Sequence, residues 1–453
     1  MAQSSPSLFP GGALLKRALL QAFQARFRFG RGRFVPLGKG GAAHVGRGGV
    51  AHAKTAGGLA HAETAGGLPA AAWRAAGREV LRLHEAYTLG EGVFAHEENP
   101  LHRAQAGYQF YFLPRNFYRV RHVLGNLPWR EGKGLLDLGE PSKEEEAPTP
   151  LRVLDLGCGT GAFSLALLSL LAEREKLATG GLDLRLELVD QGRDLLQMAV
   201  GNIEAYARLA LPNLTLRIEL HPEGVENYLA AAGKGEGFAI LGGAMMLNEL
   251  NLLAPRRGTR RAARFILPLR RLAAPGGLML FVEPGTRKGY MNLIAVREQL
   301  GGLPILYPCP HGRPCPMWTP RVRRWCHATC ALPPAFLFDG ELQRQGRIRF
   351  RMRELNLAAL AVQNTASGQA ATPFLQARGS RIVSGRLPAR DAPQPDGGID
   401  GEGRQVVLQC RGDGSLGELS AERLGPHPRG LWLPSGGMPA RRVGKGEQWA
   451  KKR

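Results

Sequence analysis

Residues 151–163, LRVLDLGCGTGAF, constrain the fold more than any other stretch. An apolar run ending at Asp155 reads as a buried strand. Gly157, Gly159 and Gly161 follow at alternate positions, and AFSLALLSLLAERE begins a helix at once. A chain that leaves a strand and enters a helix in so few residues needs glycine, because the backbone must turn sharply and let a ligand approach closer than a Cβ permits. Strand-like LDLRLELVD, LTLRIEL, FAILGGA and GGLMLFVEPG then recur, separated by helical material. That alternation predicts an α/β, doubly wound, mostly parallel Rossmann-like sheet over residues 151–300.

The glycine spacing selects among nucleotide sites. Dinucleotide folds use G-x-G-x-x-G, whereas D-x-G-x-G-x-G is the pattern of S-adenosylmethionine (SAM)-dependent methyltransferases. Asp190 ends the next strand and is placed to accept hydrogen bonds from ribose hydroxyls. The expected cofactor residues are therefore Asp155, Gly157, Gly159, Gly161 and Asp190. The acceptor side carries less signal. Amino-group methylators often hold their substrate with Asn/Asp-Pro-Pro-aromatic after the fourth strand, and that position here reads AMMLNELN. Asn248 or Glu249 could touch an acceptor or simply begin a helix, so no catalytic residue is assigned. A sulfonium methyl is already activated, and positioning an acceptor in line supplies most of the catalysis.

Charge points to the partner. The net charge is +22, and its excess sits in three segments. Residues 1–62 hold nine Lys/Arg and no acid, residues 256–271 hold seven Arg and no acid, and residues 313–353 hold nine Arg against Asp339 and Glu341. Clustered arginine suits a polyphosphate partner, because each neutralised phosphate releases counterions; a merely basic, arginine-rich proteome would also produce it. A strand over 347–353 would place Arg347, Arg349, Arg351 and Arg353 on one face as an RNA-binding row. Asn248, Glu249 and Asn251 interrupt the longest apolar stretch, which argues against a membrane span.

The remaining organisation follows from composition. Residues 1–70 are low-complexity and basic, with the tandem repeat AHAKTAGGL/AHAETAGGL, and are expected to be disordered apart from a potential amphipathic helix in ALLKRALLQAFQARFRF. The absence of acids before Glu63 also resembles a mitochondrial transit peptide, although a bacterial cytoplasm is the expected location. Residues 71–138 read as helical and aromatic-rich, 139–150 as a linker, and 336–440 as a β-rich extension with a long loop at 364–404. A basic tail occupies 441–453.

Residues 301–335 form a cysteine-rich segment. Four of the six cysteines, Cys309, Cys315, Cys326 and Cys330, follow C-x5-C-x10-C-x3-C with His311 and His327 interleaved. With no export signal, such density favours metal ligands over disulfides. Local spacing alone suggests a structural zinc, and an iron–sulfur cluster is the competitor.

The pieces PCPH, PCPM and WCH, following a strand that ends VEPGTRKGY, resemble the methyltransferase-like proteins of the mitochondrial small ribosomal subunit and their bacterial relatives, over roughly residues 70–435. That resemblance implies a [4Fe–4S] cluster on Cys309, Cys315, Cys326 and the distant Cys410, leaving Cys330 as an extra cysteine. It further implies a monomer that binds rRNA and proteins of the small subunit and takes part in its assembly. Either an rRNA methyltransferase or a non-catalytic assembly factor satisfies these features; a zinc-stabilised RNA-binding protein is the third reading.

Overall fold

In the computed structural model, the described residues are 12–30, 33–37, 50–53, 67–89, 104–127, 150–173, 182–232, 237–250, 258–300, 302–309, 311–317, 325–332, 336–349 and 354–365. From 380 onward, short strands within 380–442 are described by backbone alone. Four parallel pairings build the centre of a nine-stranded sheet. Strand β4 (Leu151–Leu156) lies between β5 (Leu182–Val189) and β7 (Phe238–Ala244), β5 continues to β6 (Leu214–His221), and β7 to β8 (Ala273–Pro284). The chain thus winds in opposite directions from β4, the doubly wound arrangement the strand–helix rhythm predicts.

The strands are apolar because helices cover both faces. Alternate residues feed two cores: Leu184, Leu186 and Leu188 of β5 pack on one face with Phe163 and Tyr206, while Leu154 and Leu156 of β4 join Phe265, Leu269, Leu293 and Phe281 on the other. Fully burying each such side chain stabilises the fold by about 1.5–3 kcal/mol.

The potential amphipathic helix in the N-terminal segment is present as α1 (Gly12–Arg26), with Leu15, Leu19 and Phe23 buried in the first core. Arg26 Nη1 donates to the carbonyl of Gln197 at 3.1 Å, and Lys16 pairs with Glu341 Oε1 at 2.5 Å.

Strand β3 (Val50–Ala53), which overlaps the start of the repeat, pairs antiparallel with β6 at the sheet edge. At the other edge β11 (Glu354–Gln363) runs antiparallel to β8, and it also pairs with β9 (Ile305–Tyr307) and β10 (Ala328–Ala331). Residues 354–363 therefore belong to the central sheet, not to a separate extension; ELNLAALAVQ is apolar on both faces, as an interior strand must be. The strand expected over 347–353 is absent from its described part. Arg347 has a left-handed φ of 59°, and residues 347–349 carry no regular structure. Arg351 and Arg353 lie outside the described residues.

The aromatic-rich region forms α3 (Gln105–Gly107), a π-helical turn over Tyr108–Phe112, and α4 (Leu113–Gly125). Phe110 and Phe117 are fully buried, so helix packing accounts for most of its rings. Arg115, only 3% exposed, is stacked 3.7 Å from the Tyr111 ring and bonds both oxygens of Asp339, tying α4 to the helix Asp339–Arg344.

Candidate functional site

Gly157, Gly159 and Gly161 all have left-handed φ, at 61°, 52° and 90°. A Cβ on Gly159 would meet nothing within 4 Å. The loop therefore opens onto free space at that residue, next to the point where the winding of the sheet reverses. Ligands of open α/β sheets bind at that position. Asp190, just past β5, accepts from the amides of Gly159 (2.9 Å to Oδ2) and Gly192 (2.8 Å to Oδ1) and so ties the second strand's turn to the glycine loop. A carboxylate has about four acceptor sites, so capacity for ribose hydroxyls remains.

Asp155 is fully buried. Its Oδ2 accepts from the Ser164 hydroxyl at 2.7 Å and the Ser164 amide at 3.2 Å, whereas Oδ1 is buried without a partner among the described residues. Burial, with a smaller contribution from Asp190, pushes this carboxyl up to about 7 against the Ser164 hydrogen bonds.

A second buried acid closes the cleft on the β7 side. Glu283, at the end of β8, accepts from the amides of Leu247 (2.8 Å) and Asn248 (3.2 Å) at the start of the helical turn Leu247–Leu250. Burial pushes Glu283 up to about 8 despite those bonds. Its value as a site residue was missed in the sequence; an acid inside the apolar run LMLFVEP was the available signal. The capping role open to Asn248 and Glu249 is thus already filled. Asn248 Oδ1 has no partner among the described residues, and Glu249 is solvent-accessible.

The helical roof is fastened to the loop by a buried amide network. Gln109 and Asn202 exchange hydrogen bonds at 2.6 and 3.0 Å, and Asn202 also donates to the Thr160 carbonyl at 3.1 Å.

The cysteines separate into two groups. Cys309, Cys315 and Cys326 line one cavity of about 40 Å3, with Tyr290, Arg297 and Met317. This is several times the volume a single water needs. Tyr290 and Arg297 belong to the helix Arg287–Gln299, which packs on the second core. The Tyr290 hydroxyl is 3.4 Å from Cys315 Sγ. Arg297, nearly buried, bonds the carbonyl of Arg313, pairs with Glu298 Oε1 at 2.6 Å and faces Cys309 and Cys315; burial lowers its affinity for a proton, but the two sulfurs and Glu298 together raise it. Burial raises the Cys315 thiol. Trp325 Nε1 donates to the Gly285 carbonyl at 2.8 Å and anchors the segment that carries Cys326.

Cys330 is on the opposite face of the sheet. It sits in the first core, its Sγ 3.6 Å from the Leu355 carbonyl, with its thiol pushed up to about 12 by burial. Cys330 lies on β10, paired with Leu355 of β11, whereas Cys326 precedes that strand, so strand alternation does not tie the two to one face. Cys410 lies on the strand Gln405–Arg411, opposite Arg381 and Leu416, where only the backbone is described.

Among the arginines, Arg347 and Arg349 are exposed and flank the buried Ile348. No helix among the described residues is long and apolar enough to cross a membrane.

A glycine loop at the switch point of a doubly wound, mainly parallel sheet defines the class: an α/β, Rossmann-like protein. Residues 247–332 match the family described as mitochondrial small ribosomal subunit Rsm22. That segment runs from Leu247 beside the cleft through Cys309, Cys315 and Cys326.

The chain is also similar to solved SAM-dependent methyltransferases. A provisionally assigned class I enzyme from Listeria monocytogenes is 14% identical, with 67% of this chain and 82% of that one covered and a TM-score of 0.31. An arsenic(III) methyltransferase from Chlamydomonas reinhardtii is 18% identical over 59% and 83%, at 0.26. An rRNA methylase from Streptococcus thermophilus is 13% identical over 48% and 88%, at 0.24. No curated protein matches the chain.

Proposed function

We propose that this chain is a SAM-binding, methyltransferase-like protein of the small ribosomal subunit that carries a [4Fe–4S] cluster as a structural clamp. The observation that carries the reading is the convergence of Cys309, Cys315 and Cys326 on one cavity while Cys330 faces away. Three cysteines from separate loops have no packing reason to meet beside a buried arginine. Arg297 pairs with Glu298 Oε1 at 2.6 Å, and deprotonated thiolates on a metal would add further negative charge beside it. Cys410 is the fourth ligand in this reading, which fastens the C-terminal strands to the domain. When bound, the cluster supplies iron–thiolate bonds that tie these segments together.

The open space at Gly159, the Asp190 clasp and the position at the switch point support SAM as the ligand of the cleft. A sulfonium is a cation, and Asp190, clasped to the glycine loop, offers a carboxylate beside it. The description of the matched family supports the small subunit as partner and favours the mitochondrial matrix over the bacterial cytoplasm. Arg347, Arg349, Arg351 and Arg353 are proposed to contact rRNA.

Anaerobic purification tests the cluster: brown protein with about four irons per chain is expected, whereas one zinc and no colour overturns it. Calorimetry with SAM tests the cleft. SAM-dependent transfer of label to small-subunit rRNA, lost in Asp155→Ala, separates an enzyme from a non-catalytic assembly factor.

A further inference from the structure

We propose that Glu187, Glu219 and His221 form a metal site, separate from both the cleft and the cysteine cavity, that takes a divalent transition cation of the zinc class.

The sequence prepares it. LDLRLELV of β5 and LTLRIELH of β6 both alternate, and their leucines at 184, 186, 188, 216 and 220, with Ile218, fill the first core. The residues between them project from the other face of the sheet. The two strands are parallel with Glu187 opposite Glu219, and His221 stands two residues further along β6. Adjacent strands therefore present two carboxylates and an imidazole to one spot. A ligand atom from each lies within 4.8 Å of the other two.

The imidazole points to an ion. His221 Nε2 is 3.3 Å from Glu187 Oε2 and 3.7 Å from Glu219 Oε1. That nitrogen is buried, yet it makes no hydrogen bond among the described residues. A protonated histidine in a simple ion pair would aim its N–H at one carboxylate. Here the three atoms instead converge on the space between them, as ligands of a single ion do. With Zn–N and Zn–O of about 2.0–2.2 Å, tetrahedral ligands lie about 3.3–3.6 Å apart, close to the two spacings observed. Glu219, the most exposed of the three, is the side chain able to swing and close the third edge.

The surroundings orient these groups and set the charge. Arg152 Nη2 donates to Glu187 Oε1 at 2.9 Å and the Tyr228 hydroxyl to Oε2 at 2.9 Å, which leaves a lone pair on Oε2. Tyr228, from the helix Val225–Ala231, also sets its ring edge-on to His221 with centroids 4.8 Å apart. Metal-binding carboxylates and histidines are held by such neighbours. Arg152 offsets one carboxylate, and Arg217 is turned to Asp183 at 3.9 Å. The other carboxylate is left to attract a cation. An imidazole beside two carboxylates suits zinc better than magnesium or calcium, whose ligands are oxygens. Exposure on the Glu219 side leaves the fourth position to water, so the ion exchanges. The His221 carbonyl accepts from the Asp190 amide at 3.2 Å, and a bound cation thus braces β5 against β6 next to the residue that clasps the glycine loop.

Cobalt(II) titration of the full chain, free of any affinity tag and purified anaerobically, tests the assignment. Tetrahedral cobalt on nitrogen and oxygen gives weak visible bands without the intense near-ultraviolet charge-transfer band of thiolates, so the spectrum separates this site from the cysteines. One equivalent with the nitrogen–oxygen spectrum is expected, displaced by zinc, and zinc should raise Tm above that in EDTA. Glu219→Gln, and His221→Phe, which keeps a ring against Tyr228, should each weaken cobalt binding tenfold or more and abolish the zinc-dependent rise. Melting in EDTA reports whether each variant folds as the parent does; Glu219→Gln, an isostere at a half-exposed position, decides the matter should His221→Phe melt lower. Cobalt that appears only as a thiolate complex overturns the site, as does a nitrogen–oxygen spectrum that survives in Glu219→Gln.

Discussion

In the glycine-loop cleft the groups that meet a ligand are largely backbone, supplied by consecutive residues and clasped by Asp190. In the cysteine cavity they are side chains, supplied by residues 309, 315 and 326 and closed by Tyr290 and Arg297 from a helix that precedes them. The cleft is a consequence of topology. Once β4, β5 and β7 pair, the loop has nowhere else to go, and loss of one side chain leaves its shape. The cavity depends on tertiary placement of loops that have little regular structure of their own. Its stability must then come from whatever the three sulfurs hold, because buried thiols beside a buried arginine contribute little by themselves.

The largest effect expected from this contrast is the loss of a single cavity sulfur. Cys315→Ser should abolish iron retention and lower Tm steeply, since structural metal sites contribute ~10 kcal/mol or more to folding. Cys330→Ser should keep full iron content and lose only ~1–3 kcal/mol, the cost of a buried hydroxyl in an apolar core. Iron per chain and thermal unfolding measure both. Equal iron loss in the two variants would erase the distinction between the faces of the sheet.

The cleft should respond in the opposite sense, with function lost and the fold kept. Gly159→Ala places a methyl group in the open space before the loop and strains a left-handed residue by ~1–2 kcal/mol. A tenfold or greater loss of SAM affinity with a Tm lowered by only a few degrees is expected. Unchanged affinity would show that the ligand does not lie against this part of the backbone.

A smaller, pH-dependent effect distinguishes the two sites further. Asp155 titrates near 7 in the folded chain, against about 3.9 for an unperturbed aspartate. Between those values the folded state holds a proton that the unfolded state has released, so stability falls as pH rises from about 4 to about 7 and is level above. Glu283, held at about 8, extends the decline by about a unit. Asp155→Asn removes the first of these contributions. Its Tm should decline less than that of the parent between pH 4.5 and 7.5, measured by calorimetry at constant ionic strength. Parallel curves would mean that Asp155 is already ionised at low pH.

What the sequence discloses follows the same division. The loop, Asp155, Asp190 and the parallel order are legible because strand, turn and helix signals are local and contiguous. The grouping of Cys309, Cys315 and Cys326 against Cys330 is not, since spacing alone favours the four nearest cysteines; only the register of β10 on β11 turns Cys330 to the other face. Glu283, Tyr290 and Arg297 are hidden for a related reason: a polar residue in an apolar element reveals its role only when its neighbours are known. The helix Gly12–Arg26 is legible from the helical spacing of Leu15, Leu19 and Phe23, but its packing into the core of a distant domain is not. The isolation of 354–363 from the other strands in sequence likewise conceals its place inside the central sheet.

The smallest effect is expected where neither site is touched. Arg347 and Arg349 project to solvent on either side of Ile348, whose burial fixes the segment. Replacing both arginines with glutamine leaves that anchor, so iron content and SAM affinity should not change. If each guanidinium neutralises one phosphate, the dependence of log K on log salt for a single-stranded rRNA fragment should become shallower by ~0.7 per residue. Affinity at low salt should weaken several-fold, without sequence preference. A slope that is unaltered would assign the phosphate contacts to the other arginine-rich segments, and the cysteine cavity would then stiffen the domain without shaping its RNA-binding surface.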